Sequence, residues 1–417
     1  MGFVSTRGIG MRTSRAHDTP DGTRRPPLSS AEGRPGPPAS RPAAVDADVP
    51  AAVGHCLEQI IDERLAHCTS LDTVFGEDLA ARLAAFTLQG GKRNRPQLLW
   101  WSFRAAGGDS RHTAAVLRIA AALELLQTCA LVHDDVMDDS ALRRGRPALH
   151  SDVGHQYPAA GPDFAKAAAI LVGDLALAWA DDIVAGAALP TPVADAVREL
   201  WRVMRTEMVA GQYLDLHGQA TAVSSAARAV RIACLKSALY SVERPMLLGA
   251  ALARADARTT RILSAAGRCA GIAFQLRDDL HGVFGAPHAT GKPSGDDIRQ
   301  GKPTYLVALA RARAGASGDT EALAVLGGCV GAGRLTEGRL AEVRGVLERT
   351  GARKVVERRA ERLGARSVQR LASAALREPA AGRLRELLRA AAGCGVDPQA
   401  RAADNRRELQ GTGRGQR

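Results

Sequence analysis

Asp134 and Asp278 head two carboxylate clusters, each at the end of a long apolar stretch. The first reads Leu131-Val132-His133-Asp134-Asp135-Val136-Met137-Asp138-Asp139, the second Phe274-Gln275-Leu276-Arg277-Asp278-Asp279-Leu280-His281-Gly282. Carboxylates beside apolar helical sequence are costly unless something cationic offsets them. On a helix Asp134 and Asp138 stand at i and i+4, projecting from one face a turn apart. Two such faces brought together form an all-oxygen, strongly negative site suited to Mg²⁺. Basic residues crowd the same regions: Gly90-Gly91-Lys92-Arg93-Asn94-Arg95-Pro96, Arg143-Arg144-Gly145-Arg146-Pro147, Lys236-Ser237, Gly291-Lys292-Pro293 and Gly301-Lys302-Pro303. Acids with cations around them point to a metal shared with a polyphosphate. Alone, each motif could be a solvated helix end. Together, at the rim of apolar sequence, they describe an amphiphilic diphosphate substrate. Lys292 and Lys302, ten residues apart on a Gly/Pro-rich loop, read as a mobile lid over phosphates.

The elements that must position these groups are helical. Apolar residues recur near every 3.6 positions over 113–132, 165–185, 191–216, 226–253 and 259–280, separated by short Gly/Pro/Asp breaks. No β-alternation is visible, and only 4% of residues are aromatic, so Ala, Leu and Val do the packing. One all-α domain is expected from 50 to 400. Residues 1–49 hold seven prolines and seven arginines without an apolar period, and read as a disordered extension. Residues 401–417 form a polar basic tail.

The net charge of +12 does not indicate a nucleic-acid binder. Residues 351–417 hold sixteen Lys/Arg against seven Asp/Glu, spread along helical sequence with no aromatics to stack on bases. A solvated surface accounts for them. Seven cysteines without CxxC or zinc spacing read as reduced thiols in a cytoplasmic protein. No transmembrane segment is expected: the most apolar stretch, 167–189, is broken by Asp174, Asp181 and Asp182.

In the order GGKRxRP, DDxxD with RRGxP, Lys-Ser, FQLxDD and GKxxGxD, the motifs resemble those of the trans-isoprenyl diphosphate synthases (polyprenyl synthetases), over roughly 85–310. The resemblance implies a single large helical bundle around a central cavity, usually homodimeric, that joins isopentenyl diphosphate to an allylic diphosphate. It implies that Asp134, Asp138 and Asp278 bind three Mg²⁺, with Asp135 and Asp279 in support. It assigns Arg143, Lys236, Ser237, Gln275, Lys292 and Lys302 to the allylic diphosphate. Lys92, Arg95, Gln127 and Arg144 fall to isopentenyl diphosphate. No Ser/His/Asp or Cys/His arrangement is found, and in the family the departing pyrophosphate takes the final proton. A class I terpene cyclase would need a second metal motif that is absent and would have no use for GGKRxRP. A non-catalytic partner subunit would be expected to lack the aspartates kept here.

Two positions depart from many relatives: Gly282 stands where a third aspartate is common, and Cys129 where short-chain enzymes place an aromatic floor. A helical turn rises ~5.4 Å, close to one isoprene unit. With Cys129 and Ala130 small, a growing chain should pass the first layer and meet Leu126, giving a C20 product. A C15 or longer product, C25 and above, is the alternative.

Overall fold

Ala, Leu and Val at helical spacing leave little to build anything but helices, and the computed structural model, which describes residues 41–221, 225–285 and 295–393, is almost entirely helical. The helices are α1 Pro42–Ala47, α2 Val49–Leu71, α3 Ala81–Leu88, α4 Asn94–Ala105, α5 Thr113–Met137, α6 Leu149–Gln156, α7 Gly161–Ala185, α8 Thr191–Thr221 and α9 Ala226–Ala233. After a π-helical stretch, Cys234–Glu243, come α10 Arg244–Leu252, α11 Ala257–Phe284, α12 Asp296–Arg299, α13 Tyr305–Ser317, α14 Thr320–Cys329, α15 Glu337–Arg349, α16 Ala352–Ala372 and α17 Ala380–Ala391. Short polar residues set the starts: Asp256 accepts from the Thr259 amide to cap α11, and Thr304 from Val307 to cap α13.

Helix α5 is the hub. It packs against α2, α3, α4, α6 and α7, and residues from Ala115 to Val132 are buried on nearly every side. The stretch 110–137 is long and apolar enough to cross a bilayer by length and composition, yet 67% of its most apolar part is buried inside the protein. It is therefore a core helix. Trp100, Phe103, Leu123, Leu126, Ile183 and Met204 fill the main core around it. Full burial of such a side chain contributes ~2 kcal/mol. Truncating Leu126 to Ala would cost about 2–5 kcal/mol. A second core joins α13 to α16 onto the end of α11 through Leu276, Leu280 and Val283. Helix α11 thus belongs to both, and Asp278 and Asp279 lie in the part that carries the second core.

Two expectations need correction. Helical structure begins at Pro42 rather than at 50: Val45 is fully buried, and Asp46 accepts from Trp100 Nε1 (2.9 Å) and Arg104 Nη2 (2.7 Å). A six-residue helix is too short to show a period. The second is a small antiparallel hairpin, β1 Leu142–Arg143 with β2 Arg146–Pro147. Arg144 and Gly145 both take positive φ (53° and 75°), as a two-residue I′ turn requires.

Candidate active site

The face of α5 that carries Asp134 also carries Gln127, Ala130 and Leu131, at i−7, i−4 and i−3. All four line one cavity of about 520 Å³. Across it stand Lys236, Ser237, Tyr240 and Ser241 from the π-helical stretch, Phe274, Gln275, Asp278 and Asp279 from α11, and Asp297 and Lys302 beyond. The π winding brings residues four and five apart onto one side, which is how Lys236, Ser237, Tyr240 and Ser241 all reach the cavity. Gly211 of α8 permits this approach, because a Cβ there would collide with the backbone of Lys236.

Each acid of the first cluster has a cation. Arg143 reaches back from the hairpin to grip Asp135, its Nε 2.9 and 3.0 Å from the two carboxylate oxygens. Its Nη2 also donates to Asp134 Oδ2 at 3.2 Å. Lys236 Nζ donates to Asp134 Oδ1 (3.1 Å) and Asp215 Oδ2 (2.6 Å), and Gln212 Nε2 reaches Asp134 Oδ1 at 3.3 Å. Lys302 Nζ donates to Asp138 Oδ2 (2.8 Å) and lies 3.6 Å from Asp297 Oδ1. Burial works to raise the Asp134 carboxyl, but Lys236, Lys302 and Arg143 together hold it well below the usual carboxylate range.

The second cluster is the reverse. Asp279 is buried and, among the described residues, accepts one hydrogen bond, from Gln275 Nε2 (2.8 Å). Burial first, then the charges of Asp297, Asp278 and Asp215, push it up to about 8. A Cβ at Gly282 would sit 2.7 Å from Asp297 Oδ2, the end of a side chain that can turn aside. Asp297 thus brings a carboxylate to the place where the motif lacks its third aspartate.

A basic loop flanks the cavity. Gly91 turns at φ 152°, and Arg144 packs over it, donating from Nη1 to the Gly90 carbonyl at 2.7 Å. Arg95 lies over the Tyr240 ring (4.3 Å to the centroid) and donates from Nη2 to Ser241 Oγ at 2.8 Å. Tyr240 in turn donates to Gln127 Oε1 at 2.9 Å. Lys92 is exposed next to this loop. Arg93 and Arg144 both adopt the left-handed backbone region (φ 43° and 53°), strain of the kind that collects at binding loops.

The sequence expectations therefore converge for Asp134, Arg143, Lys236, Ser237, Gln275, Asp278, Asp279, Lys302, Arg95 and Gln127. Asp135 and Asp138 lie directly behind, on Arg143 and Lys302. Lys302, expected on a lid, has a side chain 14% exposed that lies between Asp138 and Asp297. Lys292 lies outside the described residues. Of the three expected floor residues, only Ala130 lines the cavity. Leu126 is fully buried in the main core. Cys129, about 140° around α5 from Asp134, has its Sγ 3.7 Å from His133 Nδ1, whose Nε2 lies 3.1 Å from the Ile170 carbonyl oxygen of α7. Sequence reasoning missed Gln212, Asp215, Tyr240 and Asp297. The GQYLD run at 211–215 offered the one local hint, two polar groups at i and i+3 on an apolar helix.

The donor set fits a hard divalent cation. Asp138 Oδ1 is buried without a hydrogen-bond partner, and Asp279 is crowded by other acids. Both are conditions that an oxygen-liganded cation relieves. Among the described residues no three His, Cys, Asp or Glu side chains converge on one point. Lys236 and Lys302 stand between the acids, so the set suits a cation arriving with an anion that draws the ammonium groups to itself.

The polyprenyl synthetase family model matches residues 77–328. A short chain isoprenyl diphosphate synthase of Methanothermobacter thermautotrophicus is 31% identical, over 70% of this chain and 83% of its own. A farnesyl diphosphate synthase of Geobacillus stearothermophilus is 36% identical over 55% of this chain and 75% of its own. Among solved structures, a geranylgeranyl pyrophosphate synthase of Corynebacterium glutamicum, complexed with isoprenyl diphosphate and magnesium, superposes with a TM-score of 0.77. It is 37% identical and covers 82% of this chain and 98% of its own.

Proposed function

The chain belongs to the polyprenyl synthetase family of trans-prenyltransferases, and from that premise we propose that it condenses isopentenyl diphosphate with an allylic diphosphate to give C20 geranylgeranyl diphosphate, with Mg²⁺ as cofactor. The observation that carries this is one cavity with two kinds of lining. Acids and lysines ring one part of it, while Ala130, Leu131, Met208, Ile232, Ala233 and Phe274 supply apolar wall. That is the shape of a site for a charged head and an oily tail.

Asp134, Asp138 and Asp278 would hold Mg²⁺, three ions by family resemblance, whose chemistry is to neutralise charge on the leaving diphosphate. Lys236, Lys302 and Arg143, already placed among these acids, would turn to the allylic diphosphate oxygens, with Ser237 and Gln275 beside them and Lys292 as a further donor. Arginine 143, with its planar fork fixed by Asp135, is pre-oriented for this. Lys92, Arg95, Arg144 and Gln127 would hold isopentenyl diphosphate on the other side. The allylic C–O bond breaks with its electron pair going to diphosphate. The terminal alkene carbon of isopentenyl diphosphate bonds to the carbon so exposed, and the proton then lost passes to the departed diphosphate. No protein base is required, and the apolar wall keeps water from the cation.

Product length is read from Ala130, whose small side chain leaves the α5 wall open below Asp134. A second copy of the chain is the proposed partner: Phe164, Ile170 and Leu171 on α7 and Val209 and Tyr213 on α8 are exposed apolar residues that a homodimer would cover. The six described cysteines are unpaired, which agrees with a cytoplasmic location. The deciding experiment supplies purified protein with Mg²⁺, isopentenyl diphosphate and C5, C10 or C15 primers, then measures product length. A single C20 alcohol after dephosphorylation supports the whole reading. Longer or shorter alcohols keep the reaction and discard the C20 assignment, and no elongation discards both.

A further inference from the structure

Lys354, Arg358, Arg362, Arg366 and Arg370 follow one another at four-residue steps along α16. The first four are exposed and Arg370 is half-buried. Along ~24 Å of helix they drift ~40° per step, which leaves Arg358, Arg362 and Arg366 within ~80° of one another. The acids nearby are already committed. Glu337 pairs with Arg299, Glu342 with Arg339, Glu348 and Glu357 with Arg353, Glu378 with Arg385 and Glu386 with Arg383. Glu361 is the one carboxylate on this stretch without an ion pair among the described residues, and none of the five cations has an acidic partner among them. Like charges at i and i+4 repel, so a helix face evolved only for solvation would do better with alternating signs.

We propose that this face of α16 is a docking surface for an anionic phospholipid bilayer. Arg358, Arg362 and Arg366, exposed within one arc and without acidic partners among the described residues, suit a sheet of phosphate headgroups, each contributing attraction that fades within a Debye length. Helix α16 carries no aromatic side chain to stack on bases, which disfavours single-stranded nucleic acid. The row begins beside the second acidic cluster: Arg353 stacks on Phe284 at 4.2 Å, five residues past Asp279 on the same helix. If the proposed reaction is right, its amphiphilic product has reason to be released near a membrane, and that motive alone rests on the active-site reading.

The test is co-flotation of the full chain with vesicles of phosphatidylcholine containing about one-third phosphatidylglycerol, against pure phosphatidylcholine, at low salt and at about 0.5 M salt. The protein should float with the anionic vesicles only, and salt should release it. Each neutralisation should lower the partition about fivefold, so the Arg358→Gln, Arg362→Gln, Arg366→Gln triple variant should lose roughly a hundredfold. Turnover of water-soluble primers by the triple variant should match the wild type, which shows that it is folded. The proposal is overturned if the wild type ignores anionic vesicles, if the triple variant floats as well as the wild type, or if duplex DNA binds the row more tightly than the vesicles do. Flotation scores adsorption, not turnover, so its failure leaves the proposed reaction untouched.

Discussion

The two aspartate clusters share a motif and differ in almost everything around it. On α5, Asp134, Asp135 and Asp138 each meet a lysine or arginine. On α11, Asp279 meets mainly other carboxylates and holds its proton up to about pH 8. The first face is a preset ion-pair network. On the second, Asp279 is crowded by the carboxylates of Asp297, Asp278 and Asp215. One motif can therefore be stored in two charge states, and the neighbours decide which. The lysines that span the gap, Lys236 and Lys302, are the groups an incoming diphosphate would compete for.

Removing the first face should have the largest effect. Asp134→Asn with Asp138→Asn should lower elongation about 10³-fold or more while the circular dichroism spectrum stays helical, because leaving-group stabilisation is lost. Activity within tenfold of wild type would remove the metal role from α5. Next, Asp215→Asn should cost about tenfold to a hundredfold, since Lys236 then loses the carboxylate that fixes it beside Asp134. A steady-state comparison that shows only a KM effect, with kcat intact, would make Asp215 merely structural.

Ala130→Phe should shorten the product toward C15 with a modest rate change, whereas Cys129→Phe should disturb packing on α7 and leave product length nearly unchanged. Chromatography of the dephosphorylated alcohols distinguishes them, and the reverse result would restore Cys129 as the floor. The smallest effect concerns the second face alone. The Asp279 pKa is raised on folding, so its stabilising contribution is full below its ordinary value of 3.8 and is lost as pH rises through about 8. The metal-free protein should thus melt at lower temperature as pH goes from about 7 to about 9. Asp279→Asn should flatten that slope. An unchanged slope would mean that the carboxyl is already ionised and the contrast between the faces is weaker than drawn.

Much of the site was legible because it is local. Gln127, Ala130, Leu131 and Asp134 lie within α5, and the Gln275–Asp279 pair within α11, where spacing sets the face. Lys236 was harder to read, since a lone lysine in helical sequence is usually solvated. Its burial depends on the close approach of α8 at Gly211 and on a π winding that no apolar period announces. Asp297 was hidden in a Gly-rich loop, and its role at Gly282 emerges only when α12 folds back on α11. Cys129 lies off the cavity lining for a plain reason. A position five residues from Asp134 lies on another side of α5, and that side belongs to α7.

By itself the sequence determined the helical class, the central apolar helix, the order of the acidic and basic motifs, and through them the reaction class. These follow from composition and from a period of 3.6 residues, which act within a few turns of chain. Only the tertiary structure decided which cations stand on which acids, which face of α5 meets the cavity, and why Asp134 is held ionised while Asp279 keeps its proton. Those outcomes depend on charges and walls contributed from up to 164 residues away, as Lys302 is from Asp138, and burial couples such groups only once the helices have packed.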